Sequence, residues 1–178
     1  MNYVDAFLVY HLLKGNALHT ALALEIAPEA IISLAATESW DEKIKDYNRP
    51  VDCDSKAPKN RVHQIFCRYQ AMWLRALVGE IVNALAAKSP EALFMSQTKS
   101  ATSFSTRAIA ELVEIATTAQ HFAARVAGEP DPLGVSRGKV GGSEISTCFV
   151  RAMAVADDFG FDAVALVRNV IKPTDNPV

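Results

Sequence analysis

The chain has 178 residues, 50% of them apolar and 21% charged, with 18 Lys plus Arg against 20 Asp plus Glu and a formal net charge of -2. That apolar share is too high for a chain disordered throughout, and it gives one domain, or a domain with a small appended module, material for a packed core. The charge balance excludes the broad basic field of a protein that coats nucleic acid regardless of sequence, so any nucleic-acid contact has to be local.

Helical periodicity runs through the sequence, while clean β alternation and Asn-Gly or Asp-Gly hairpin turns are lacking. The expected fold class is all-α: a helical bundle with a small amino-terminal three-helix unit. A first helix is predicted over Tyr3 to Leu13, where Lys14-Gly15-Asn16 supplies a basic last turn followed by breakers. A second covers Leu18 to Ile26, and a third starts near Pro28 and continues towards Trp40. Tyr47 to Asn60 holds Pro50, Pro58 and alternating charges with no apolar period, and reads as a linker or exposed loop. The expected organisation is a unit over 1–49, a linker over 50–60 and a bundle over 61–178.

A long helix is predicted from Arg61 to Lys88, with Val62, Ile65, Phe66, Tyr69, Met72, Trp73, Leu77, Ile81 and Leu85 at three- and four-residue steps. Another follows from Thr106 to Ala127, behind a Ser/Thr-rich stretch whose Ser105 suits an N-cap. Five of the eight glycines then fall between Gly128 and Gly142, marking a loop. Ser143 is expected to cap a helix reaching Phe159, Gly160 to end it, and a last helix to run from Asp162 to Ile171.

The three cysteines, Cys53, Cys67 and Cys148, are widely spaced and form no CxxC pair, so neither a disulfide framework nor a zinc site is expected. His63 and Cys67 stand one helical turn apart, but Cys67 lies among apolar positions, where a thiol is usually inert. The amino terminus lacks a cationic region followed by an apolar stretch, and the Ala17 to Ala36 segment is interrupted by His19, Glu25, Pro28 and Glu29. A cytoplasmic protein without a membrane span is the expectation, in a bacterial or phage-infected cell.

Glu111 and Glu114 are three apart on one predicted helix and so share a face. Glu144 begins the next long helix, where terminal N–H groups favour negative charge. If the two helices pack antiparallel, three carboxylates can converge, and such an oxygen cage suits Mg2+. The run Ala110-Glu111-Leu112-Val113-Glu114-Ile115, then Arg137-Gly138-Lys139-Val140-Gly141-Gly142-Ser143-Glu144, then Arg151 and Phe159-Gly160-Phe161-Asp162, resembles the MazG-like all-α nucleoside triphosphate pyrophosphohydrolases. The resemblance covers about residues 106–178. It implies that Glu111, Glu114 and Glu144 carry Mg2+ and that an NTP or dNTP is split to monophosphate and pyrophosphate. Arg151 and Lys172 would be the cations available to a bound phosphate. Thr147 stands where the family's fourth carboxylate belongs, which leaves an impaired enzyme, a nucleotide sensor or a catalytically dead assembly protein as alternatives.

Tyr10, Lys14-Gly15-Asn16, Leu18, Ala21, Leu24, Ile26, Pro28-Glu29, Ile31, Leu34-Ala35 and Trp40 are similar to the helix-turn-helix of phage terminase small subunits. That resemblance implies a DNA contact through residues 18–40, with the helix from Glu29 to Ser39 in a major groove. Glu25 stands where such turns usually have glycine, and the outward face offers Ile32, Ser33, Ala36 and Thr37 without a Lys or Arg. Arg61, Arg68 and Arg75 are seven apart and form one stripe, available to nucleic acid or to a neighbouring subunit's acids. A homo-oligomer is expected, because helices of this length carry apolar faces that one short chain does not cover. The remaining alternative is a structural helical protein of a virus.

Overall fold

The computed structural model describes residues 3–49, 58–88, 106–127 and 141–172. Among the described residues there are helices and no strand, in the order α1 Tyr3–Leu12, α2 Ala17–Leu24, α3 Pro28–Thr37, α4 Trp40–Tyr47, α5 Pro58–Lys88, α6 Thr106–Ala127, α7 Gly142–Asp158 and α8 Ala163–Ile171. The fold is all-α, as the periodicity predicts. No single helix among the described residues is long and apolar enough to cross a membrane.

The long α5 is the spine, with α6, α7 and α8 packed along it. Its Leu74, Leu77 and Ile81 are fully buried and belong to one apolar core with Ile115 of α6, Ile145 and Phe149 of α7, and Val167 of α8. Each such side chain contributes about 1.5–3 kcal/mol by leaving water, so this core dominates the stability. The periodicity of α5 merges two faces: Phe66, Leu77, Ile81 and Leu85 are core, whereas Val62, Ile65, Tyr69 and Met72 are exposed.

Local signals set several boundaries. The Asp162 side chain accepts a hydrogen bond from the Ala165 N–H at 3.0 Å and starts α8. Gly160 takes a φ of +73°, a conformation glycine adopts without Cβ strain, and there α7 ends. Lys88 reinforces that end, donating from Nζ to the Phe159 carbonyl at 3.2 Å, where a cation meets the negative pole of the helix. At the other end of α7 the expectation is corrected: the N-cap is Gly141, not Ser143, and the Glu144 carboxylate accepts the Gly141 N–H at 3.3 Å. The Ser143 carbonyl instead accepts the Ser146 and Thr147 hydroxyls. Ser105 and the glycine-rich stretch over 128–140 lie outside the described residues.

The amino-terminal unit has four helices rather than three. Ser39 adopts a φ of +50°, which breaks the predicted third helix, and Trp40 opens α4 instead of closing α3. Burial is the reason: Trp40 is fully enclosed, its ring 5.6 Å from Phe7 and 5.0 Å from Tyr10. Trp40, Ile44 and Tyr47 repeat at helical spacing, which makes α4 amphipathic despite its charges. The unit also shares its interior with the bundle. Val9 and Leu12 of α1, with Leu13 just beyond it, sit in the main core, and Phe66 of α5 sits in the aromatic cluster around Trp40. Of the expected linker, Pro58 to Asn60 already belong to α5, and 50–57 lie outside the described residues.

One buried polar link ties the two parts. His11 of α1 is 2% exposed; its Nδ1 accepts from the Gln70 amide of α5 at 2.7 Å and its Nε2 donates to Asn48 Oδ1 at 3.1 Å. The ring is therefore neutral, and burial lowers its pKa from 6.5 to about 4. Half-buried His63, which donates to the Tyr47 carbonyl at 2.7 Å, is shifted down by burial as well. Gly142 lies against the same ring: a Cβ there would stand 2.9 Å from His11 Cε1 and 2.9 Å from the Tyr47 carbonyl oxygen.

Two outcomes follow from this link. Between pH 6.5 and about 4 the unfolded chain binds the His11 proton more readily than the folded one, so stability falls as pH is lowered through that window. His11 accounts for up to about 3 kcal/mol of that loss, and thermal melts of the wild type and of His11→Gln across the window will show a flatter pH slope in the variant. Gly142→Ala pushes a methyl group into a carbonyl and a packed ring, and destabilises by about 1–3 kcal/mol in a urea titration.

Candidate functional site

Two places carry the predicted functional residues, and they are built by different helix pairs. The first is the α6–α7 face. Burial of Leu112, Ile115, Ala119 and Phe122 fixes the rotation of α6. Glu111 and Glu114, on the flank of that stripe, are thereby brought to α7, where they meet Arg151. The guanidinium donates from Nε to Glu111 Oε1 at 3.1 Å and from Nη1 and Nη2 to Glu114 Oε1 at 3.2 and 3.3 Å. These hydrogen bonds, Glu114 foremost, raise the Arg151 pKa further, so the charge is permanent. Arg151 pairs across to α6 rather than with Asp158 on its own helix.

Glu144 is not part of this cluster. Its carboxylate turns back to the amino end of α7 and accepts the Gly141 N–H. The expected three-carboxylate cage is therefore split, two acids on an arginine and one on a helix end. Among the described residues no group of three or more His, Cys, Asp or Glu is placed to hold a metal ion. Mg2+ needs several unshared oxygens, and one oxygen each of Glu111 and Glu114 is shared with Arg151. Lys172 is elsewhere too, with its Nζ 3.6 Å from Glu25 Oε2.

Beside the arginine cluster, an open cleft of about 450 Å³ is lined by His121, Phe122, Arg125, Ser143, Glu144, Thr147 and Cys148. Arg125 Nη1 donates to His121 Nε2 at 3.2 Å on its wall. His121 and Arg125 stand four apart on α6 and so share a face, a spacing the sequence displays directly. Burial pushes the Cys148 thiol pKa up, which favours its protonated form. Cys67 is buried in the core, and the His63 ring donates to the Tyr47 carbonyl.

The second place is α2–α3. The two helices are joined by Glu25, Ile26 and Ala27 and meet at a bend of 119°. Glu25 adopts a φ of +57°, the left-handed conformation for which such turns usually use glycine, and its N–H reaches back to Ala21 and Leu22. Its carboxylate offsets that strain by pairing with Arg168 Nη1 at 3.2 Å, while Arg168 Nη2 donates to the Leu22 carbonyl at 3.1 Å. The turn is thus fastened to α8. Asn16 caps α2 by accepting the His19 N–H at 2.9 Å. Ile31 is fully buried, which turns Ile32, Ser33, Ala36 and Thr37 outward and leaves them exposed. That outward face is apolar and hydroxylic, with no cation.

No protein-family model, no curated protein and no solved structure matches the chain.

Proposed function

We propose that the chain is a DNA-binding assembly protein of the phage terminase small-subunit kind, presenting α3 to a major groove. The observation that carries this reading is the α2–α3 turn. Three linking residues, a 119° bend and a left-handed Glu25 are the features by which a helix-turn-helix sets its second helix outward. Ser33 and Thr37 offer hydroxyls to base edges, and the Ala36 and Thr37 methyls offer apolar contact to thymine.

Charge sets the strength of that contact. Between Met1 and Arg49 there are four basic and seven acidic residues, so few phosphates are neutralised per copy and a single unit binds weakly. Several units on one assembly raise the overall affinity through effective concentration, which suits an oligomer better than a monomer. Fluorescence anisotropy with duplex DNA at low salt will show binding that falls steeply as salt is raised. Ser33→Glu and Ala36→Glu change exposed positions only, and each will weaken it by about tenfold or more. Absence of binding at low salt, or binding indifferent to both substitutions, rejects the reading.

A second reading, a MazG-like nucleotide pyrophosphohydrolase, is favoured by the joint placement of Glu111 and Glu114 towards α7 beside the cleft. It requires Arg151 to release both carboxylates. Under this reading, incubation with NTPs and dNTPs plus Mg2+ yields pyrophosphate, and Glu111→Gln with Glu114→Gln abolishes the yield. No turnover and no metal-dependent nucleotide binding removes it.

A further inference from the structure

The outward face of α5 carries an apolar stripe that the other described helices leave exposed. Val62, Ile65, Tyr69 and Met72 are 59%, 54%, 51% and 56% exposed, and Ala76 and Gly79 continue the line. The steps along it are three, four, three, four and three residues, the spacing that keeps a seam facing one partner helix. The buried faces of α5 lie on the opposite side, so the stripe runs down the middle of the exposed sector. A Cβ on Gly79 would meet nothing within 4 Å, which leaves room for another backbone to approach.

Charge selects the occupant and its direction. With the stripe as the seam, Arg61, Arg68 and Arg75 occupy one flank and Glu80 the other. Two parallel, in-register copies of α5 bring each flank residue against the opposite flank five positions further on. Arg75 then meets the partner's Glu80. An antiparallel pairing centred on Met72 sets Arg68 against the partner's Arg75, two like charges.

We infer that the chain self-associates through a parallel, in-register α5–α5 seam running from Val62 to Gly79, closed at one end by reciprocal Arg75–Glu80 ion pairs. The helix is already ordered by the bundle beneath it, so pairing does not have to fold it first. The inference is independent of which functional reading holds, because its readout is mass and not ligand binding.

Sedimentation of the full chain over a concentration series will show a monomer–dimer equilibrium or a larger assembly built from dimers. Tyr69→Asp will weaken the dimer by about a hundredfold, through a charge in an apolar seam. Arg75→Glu will weaken it by about tenfold and the double variant Arg75→Glu with Glu80→Arg will restore it. Ile65→Cys will cross-link to itself on mild oxidation only if the copies run parallel. A monomer at all concentrations overturns the inference and means that the stripe is covered by another part of the chain or stays bare. A dimer insensitive to Tyr69→Asp and Arg75→Glu overturns it in favour of another surface. Each of these positions is solvent-facing or partly so, and circular dichroism of the variants keeps misfolding distinct from loss of pairing.

Discussion

The fold turns on a polar contact placed where apolar packing would be the default. His11 is enclosed between α1, α5 and the end of α4, and it satisfies both ring nitrogens only when Gln70 donates to one and Asn48 accepts from the other. A buried group with directional needs excludes alternative registers more sharply than apolar side chains do. The same ring leaves no space for a side chain at residue 142, and so fixes where α7 begins. Because α7 carries Glu144, Thr147 and Arg151, the placement of the acidic face is set from α1, more than a hundred residues earlier in the chain.

That acidic face shows how one cation changes the chemistry of two acids. Glu111 and Glu114 in isolation are a pair of oxygen donors on one helical face. With Arg151 against both, half of their combined negative charge is balanced, and the pair acts as a bracket between α6 and α7. The residues are partly exposed, so the bracket is worth little in stability and more in orientation. A ligand that displaced the arginine would have to replace three charge-assisted hydrogen bonds.

Helices were legible where local chemistry decides them. The bounds of α6, the capping Asp162 of α8 and the terminating Gly160 of α7 all follow from short-range preferences that the sequence displays directly. The split of Pro28 to Tyr47 into α3 and α4 was not legible, because Ser39 carries no mark of a left-handed residue; Trp40 forces it by seeking the aromatic pocket of Phe7 and Tyr10. The acids at 111 and 114 were legible as a pair, but their partner was not. Arg151 lies forty positions from Glu111, and only the packing of α6 on α7 reveals that the cation and the acids coincide. Glu25 was legible as an oddity at a turn, and its explanation lay in α8, through Arg168 and Lys172.

The two exposed features of the molecule make sense together. Under the DNA-binding proposal, the outward side of α3 would meet a duplex without the cations that usually hold such a helix to the phosphate backbone, so the affinity of a single copy would be low. The α5 seam proposed above would join copies through contacts that leave α3 untouched, and joining copies strengthens weak binding without altering the binding face. On that proposal, an α3 without basic residues on a self-associating scaffold would discriminate against lone stretches of DNA while tolerating weak contacts made many times over. The absence of basic residues on α3 would then be a property of the assembly, in which the number of copies in register, more than the charge on any one of them, would set the hold on a duplex.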